Sequence, residues 1–213
     1  MIDQPLTSMI WLKKSKVKRV KDLKGKTVST AGIPYQDAYL KAILERAGLS
    51  EKDVTKVAVG LNLQSSIISG KAQATLGPLW NIEGVELKMK GLKPTVHPVD
   101  ELGVPTYSEM VLVAKGSRIE EDPEPIRLFI TALMRGTRHA VAHPNQTIRT
   151  VLAANDALDA KVTGAQVRAT LPLLDQDDAE GSPETPFGWQ NTRSWQDFID
   201  WMVAQGVLAN PTR

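Results

Sequence analysis

From Lys26 to Val99 short β-rich runs alternate with amphipathic helical runs, which leaves few architectures open to the chain. Lys26–Thr30 reads as a strand, introduced by the tight turn Asp22-Leu23-Lys24-Gly25. A helix follows Pro34, with Leu40, Ile43, Leu44 and Ala47 on one face and Gly48 as its stop. Lys56–Val59 is the next strand, Ile67 and Ile68 belong to a short helix ended by Gly70, and Ala72–Leu76 is a third strand. Ile82, Val85, Glu86 and Met89 keep helical spacing before Gly91, and Pro94–Val99 closes the series as a strand. Three consecutive β-α-β crossovers predict an α/β fold with a mainly parallel sheet and helices on its faces.

Beyond Pro105 the character changes. Glu109–Ala114 is expected as one buried strand, and almost everything after it is helical. Asp122 caps and Pro123 opens a long helix whose Ile126, Phe129, Ile130, Leu133 and Met134 face a core. His143-Pro144 breaks it, and a second helix carries Ile148, Val151 and Leu152. Thr163-Gly164-Ala165-Gln166 has capping-box spacing for a third helix, and the acidic stretch Asp175–Asn191, rich in Pro and Gly, is a loop. A last helix holds Trp195, Phe198, Ile199 and Met202 and stops at Gly206. Four amphipathic helices need a surface to cover. Leu6–Leu12 is expected to pair with Glu109–Ala114, but two strands make a thin platform.

Composition narrows the class. Apolar residues make up 42% and charged residues 23% of 213, enough to build a core. No run approaches the roughly 18 apolar residues that cross a bilayer. The absence of cysteine removes disulfides, thiolate metal sites and thiol nucleophiles together. The first residues have neither the basic region nor the apolar stretch of an export signal. Net charge is +2, yet residues 1–26 hold eight basic side chains against Asp3 and Asp22. With Trp11 as the arm's single aromatic and no nucleic-acid motif following, it is expected to be a solvated connector that binds no nucleic acid.

Little points to catalysis. His97, His139 and His143 lack ligand spacing with a glutamate partner, so no metal site is expected. A nucleophile elbow, a phosphate loop and a dinucleotide fingerprint are all missing, so no cofactor is expected. What stands out is a set of polar and aromatic residues just after strand ends, where open α/β sheets bind ligands. They lie in Ser29–Gln36 (Thr30, Tyr35, Gln36), in Trp80–Glu83 (Trp80, Asn81, Glu83) and in Gly103–Glu109 (Tyr107, Glu109). Each has a plain structural reading: Thr30 as a cap, Trp80 covering an apolar edge, Glu109 facing solvent at a strand start. Jointly they describe a pocket.

These residues carry a resemblance. Asp22-Leu23-Lys24-Gly25-Lys26, followed by strand, glycine turn and helix, resembles the second lobe of type II periplasmic binding proteins of ABC importers. Leu76-Gly77-Pro78-Leu79-Trp80-Asn81-Ile82-Glu83 and Gly103-Val104-Pro105-Thr106-Tyr107-Ser108-Glu109 are similar to the branch that binds pyrimidine precursors of thiamine. So is the ending, with Phe187-Gly188-Trp189, Trp195 and Trp201–Leu208. Family members begin with an export signal and a half-lobe that these residues do not contain. A related eukaryotic enzyme uses a cysteine-rich segment that is absent here.

The resemblance implies a complete α/β lobe at 22–105 and an incomplete, mostly helical lobe from 1–21 with 106–213, hinged near Lys21 and Thr106. It implies a non-enzymatic, extracytoplasmic solute-binding protein working with ABC importer membrane subunits. The expected ligand is an aminopyrimidine, held by Thr30, Tyr35, Gln36, Trp80, Asn81, Glu83, Tyr107 and Glu109. Glu109 would accept the exocyclic amino group and a protonated ring nitrogen side by side, with Tyr107 stacking on the ring. A riboflavin or sulfonate (taurine) binding protein, and an enzyme using Glu83 or Glu109 on a pyrimidine, are the alternative readings. A homodimer is expected to cover the open sheet edge.

Overall fold

The computed structural model describes residues 2–174 and 187–209. Five strands form one sheet: β1 (Thr7–Leu12), β2 (Thr27–Thr30), β3 (Thr55–Ala58), β4 (Ala74–Leu79) and β5 (Pro94–Pro98), in the order β3-β2-β4-β1-β5. The helices α1 (Pro34–Arg46), α2 (Leu63–Ile68) and α3 (Glu83–Met89) connect β2 to β3, β3 to β4 and β4 to β5. β2 pairs in parallel with β3 and β4, as the crossovers require. α1 ends in a Schellman motif, in which Gly48 N–H donates to Glu45 C=O (3.0 Å) and Leu49 N–H to Leu44 C=O (2.9 Å), with Gly48 at φ +72°.

β1 corrects the first expectation. It does not pair with Glu109–Ala114 but lies antiparallel between β4 and β5, with Thr7 opposite Leu79 and Leu12 opposite Pro94. Every residue of β1 is buried. Met9 and Trp11 join the core that contains Tyr39, Leu40, Ile43 and Leu44 of α1, while Ile10 and Leu12 join the core of Ile67 and Leu87 on the other face. Residues 4–21 therefore lie with the sheet rather than with the helical tail. The compact units are Gln4–Glu109 with Asn191–Arg213, and Met1–Asp3 with Met110–Gln190, so the chain changes unit near Gln4 rather than near Lys21, at Glu109 close to the expected Thr106, and again near Asn191.

The basic arm carries its charges in solvent, as expected of a solvated connector, but it is anchored to the core. Lys13–Ser15 and Val20–Leu23 form 3-10 turns, and Val17, Val20 and Leu23 are buried in the larger core.

The other unit is helical, with α4 (Gly116–Glu121), α5 (Glu124–Ala142), α6 (Pro144–Ala154) and α7 (Ala160–Leu174). Glu109–Ala114 is not a strand; its one ladder contact is an isolated bridge between Met110 and Ile2. α5 breaks at His143-Pro144 as expected, but its apolar stripe is not buried: Phe129 is 56% and Ile130 43% exposed. Asp122 closes α4 rather than capping α5, whose N-cap is Pro123. Thr163 lies inside α7, and the helix is started instead by Asp159, whose Oδ1 accepts from Val162 N–H at 2.8 Å. Most of the expected Asp175–Asn191 loop, residues 175–186, lies outside the described residues. The last helix, α8 (Thr192–Ala204), is capped by the Asn191 side chain, which accepts from the Arg193 and Ser194 N–H groups.

Candidate functional site

Strand direction assembles the site. β2 and β4 end at the same edge of the sheet, and antiparallel β1 starts there. That edge collects Leu6–Ser8, the β2–α1 turn, the β4–α3 turn and the segment Tyr107–Glu109, all within one compact unit.

Glu109 is the hub. Its Oε2 accepts from Leu6 N–H (2.9 Å), Thr7 N–H (3.1 Å) and the Tyr107 hydroxyl (3.0 Å). The Thr7 hydroxyl lies 3.3 Å from both carboxylate oxygens. A carboxylate has about four lone-pair sites, and Oε2 has filled its share with protein donors. The expected side-by-side pair with an aminopyrimidine therefore meets one occupied oxygen, and acceptor capacity remains on Oε1. Tyr107 is engaged as well: its ring stacks on Phe198 (centroids 4.7 Å, 25°) and meets Tyr39 at 5.9 Å, while its hydroxyl donates to Glu109.

The remaining expected residues divide by burial. Thr30, Gln36 and Asn81 are about 2% exposed or less. Thr30 Oγ1 accepts from Gly32 N–H at 3.2 Å, and Gln36 Oε1 accepts from Ala31 N–H at 2.8 Å. Gln36 lies so close to Gly77 that a Cβ there would come within 2.5 Å of Nε2, which ties the β2–α1 turn to β4. Half-buried Trp80 donates through Nε1 to Pro5 C=O (3.1 Å), and Glu83 Oε2 accepts from Leu79 N–H (2.7 Å). Tyr35 is half-buried and meets Tyr39 edge-on at 5.1 Å.

Sequence reasoning missed Thr7, Tyr39, Phe198 and Trp201 as neighbours of this edge. Tyr39 follows Tyr35 by one helical turn, a signal that was available; Thr7 was hidden by the misplaced β1. Burial first, then the neighbouring Tyr39, pushes the Tyr107 phenol far above its usual range, with the charge of Glu109 adding to the effect. Burial likewise raises the phenols of Tyr39 and Tyr35, keeping them neutral donors. Among the described residues no group of three or more His, Asp or Glu side chains could hold a metal ion. His139 and His143 stack on each other at 4.3 Å instead.

A chain with this arrangement is similar to several characterised proteins. The formylaminopyrimidine-binding protein of Halalkalibacterium halodurans is 31% identical over 99% of this chain, which spans 63% of that protein's length. A 4-amino-5-hydroxymethyl-2-methylpyrimidine phosphate synthase of Aspergillus parasiticus is 27% identical over 68% of this chain and 45% of its own length. The crystal structure of the periplasmic aliphatic sulphonate binding protein SsuA from Escherichia coli matches 99% of this chain and 66% of that one. Its TM-score is 0.69 at 15% identity, which establishes the periplasmic-binding-protein fold. The family description NMT1/THI5 like matches residues 1–147, so this chain belongs to the NMT1/THI5-like family.

Proposed function

We propose that the chain is the solute-binding part of an extracytoplasmic ABC import system, and that it takes a thiamine pyrimidine precursor of the aminopyrimidine class. The observation that carries this reading is the 31% identity to a formylaminopyrimidine-binding protein over 99% of the chain. The proposed ligand face is Tyr35, Trp80, Glu83 and Glu109, with Thr30, Gln36, Asn81 and Tyr107 holding them in place. Glu109 Oε1 accepts the ligand's amino group, a charge-assisted bond stronger than a neutral one. Its partners in transport are the membrane subunits of the importer.

Proton transfer is the less favoured chemistry. Glu83 and Glu109, the two carboxylates available for it, already accept backbone N–H bonds, whereas a general base must reach its substrate's proton. The pyrimidine phosphate synthase among the relatives keeps turnover as the outcome to test against. A second copy of the chain is proposed to pack on the exposed apolar side chains of α5.

Ligand stabilises a fold by RT ln(1 + [L]/Kd), so a thermal-shift series over a formylaminopyrimidine, riboflavin and taurine separates the readings. The expected result is a rise in melting temperature with the pyrimidine alone and an unchanged pyrimidine after incubation. A shift with taurine or riboflavin only, or with none of the three, overturns the proposal. Glu109→Gln is expected to weaken pyrimidine binding at least tenfold, about 1.4 kcal/mol. It should also lower stability, because an amide replaces one oxygen of a carboxylate that serves Leu6, Thr7 and Tyr107. Unchanged affinity in the folded variant would reduce Glu109 to a structural carboxylate that holds the start of β1.

A further inference from the structure

The sheet edge opposite the candidate site is a pole of lysines. Lys13 and Lys14 follow the end of β1, and Lys16, Lys18, Arg19, Lys21 and Lys24 occupy the turns that lead to Lys26 at the start of β2. All are exposed. The ladder brings others to the same edge: Lys13 N–H donates to Lys93 C=O at 3.2 Å just before β5, and exposed Lys71 lies three residues ahead of β4.

Three observations show that this pole is built. Val17, Val20 and Leu23 are buried in the core, so the charges between them are displayed on a fixed surface rather than on a mobile arm. The nearby aspartates are engaged locally. Asp22 Oδ2 accepts from Lys18 and Arg19 N–H, Asp53 pairs with Lys24 at 3.3 Å, and both carboxyls are held below their usual range, chiefly by backbone hydrogen bonds from Lys18 and Ser50. Finally, Lys16 (φ 62°) and Lys93 (φ 49°) are the two non-glycine residues at positive φ among the described residues, and both stand on this edge. A left-handed turn favours glycine, so a lysine at either position carries a conformational cost.

We infer that this pole is a docking surface for an anionic phospholipid bilayer. Lysine-dominated clusters attract such surfaces diffusely, each charge adding to the partition, without the bidentate geometry for which arginine is suited. Single-stranded nucleic acid would call for aromatic platforms, and Trp11, the aromatic of this segment, is wholly buried. The inference is independent of the pyrimidine reading, because it concerns the other end of the sheet.

The test is sedimentation of the 213-residue chain with vesicles. The chain is expected to bind vesicles containing about one quarter phosphatidylglycerol, to ignore pure phosphatidylcholine, and to be released by roughly 0.5 M salt as screening shortens. Lys16→Gln/Lys18→Gln/Lys21→Gln is expected to weaken partition roughly a hundredfold with an unchanged melting curve. The control Lys88→Gln/Lys115→Gln/Lys161→Gln, with the same change in net charge, is expected to bind like wild type. Equal binding to both vesicle types, salt-independent binding, or equal loss in the control variant would overturn the inference. So would tighter binding of a single-stranded oligonucleotide than of the anionic vesicles at the same salt. The lipid and salt series use the unaltered chain and decide the question even should the triple variant unfold.

Discussion

At the scale of single residues, the candidate site rests on one carboxylate and three phenols. Tyr35, Tyr39 and Tyr107 are all the tyrosines the chain has, and all three adjoin Glu109 or one another. This makes the cluster directly readable. A phenol whose folded pKa is raised holds its proton more tightly when folded, so its stabilisation is complete below the unfolded value near 10. It is lost as pH rises from there toward the folded values. Tyrosinate absorbance in the folded chain is therefore expected to stay near baseline past about pH 10, then to appear together with unfolding, whereas in denaturant the three titrate near 10. Independent titration of all three near 10 in the folded protein would show the cluster to be open to water. The residues of this site were legible in the sequence because their types and positions after strand ends are informative. Their division of labour was not. Whether Glu109 meets a ligand or a backbone N–H depends on which strand start lies beside it, and the local sequence says nothing of that.

At the scale of elements, the misplacement of β1 is instructive. The run Leu6–Leu12 ends in four consecutive apolar residues, Met9–Leu12, which is the pattern of a strand covered on both faces. That pattern argued for the middle of the sheet and against a thin two-stranded platform. Antiparallel insertion between β4 and β5 left no local mark, whereas the β-α-β series did, because each crossover shows both its periods and its glycine stops. Gly77 joins the elements at the site. It sits at φ +124° beside the 2% exposed Gln36 side chain, which is itself bonded to Ala31 N–H. Gly77→Ala must both strain the backbone and displace Gln36, at an expected cost of about 1–3 kcal/mol. Gly48→Ala supplies the comparison, since its Cβ would meet nothing within 4 Å and only its φ of +72° is unfavourable. In denaturant unfolding Gly77→Ala is expected to lose more stability than Gly48→Ala; equal losses would show that Gln36 moves aside freely.

At the scale of the whole molecule, apolar burial is unevenly shared. Among the described residues, nine of the eleven exposed large apolar residues fall from Met110 to Trp189, while in the same unit Ile2 and Leu171 are the buried hydrophobics. A buried aliphatic side chain contributes about 1.5–3 kcal/mol, so two of them support four helices poorly. The stripe on α5 was legible in the sequence as an amphipathic face; what should cover it was not, because a period identifies a buried face without naming its neighbour. Exposed apolar surface of this kind drives association. The chain is accordingly expected to sediment and scatter light as a species larger than a monomer, with the proportion rising with concentration. Phe129 and Ile130, 56% and 43% exposed, both belong to the stripe. Phe129→Glu/Ile130→Glu should return the chain to a monomer, since a charge is costly to bury in an apolar contact while leaving an exposed position stable. Wild type that remains monomeric at the highest soluble concentration would refute a second copy on this face. So would a double variant that associates as strongly as wild type, because the contact would then lie elsewhere.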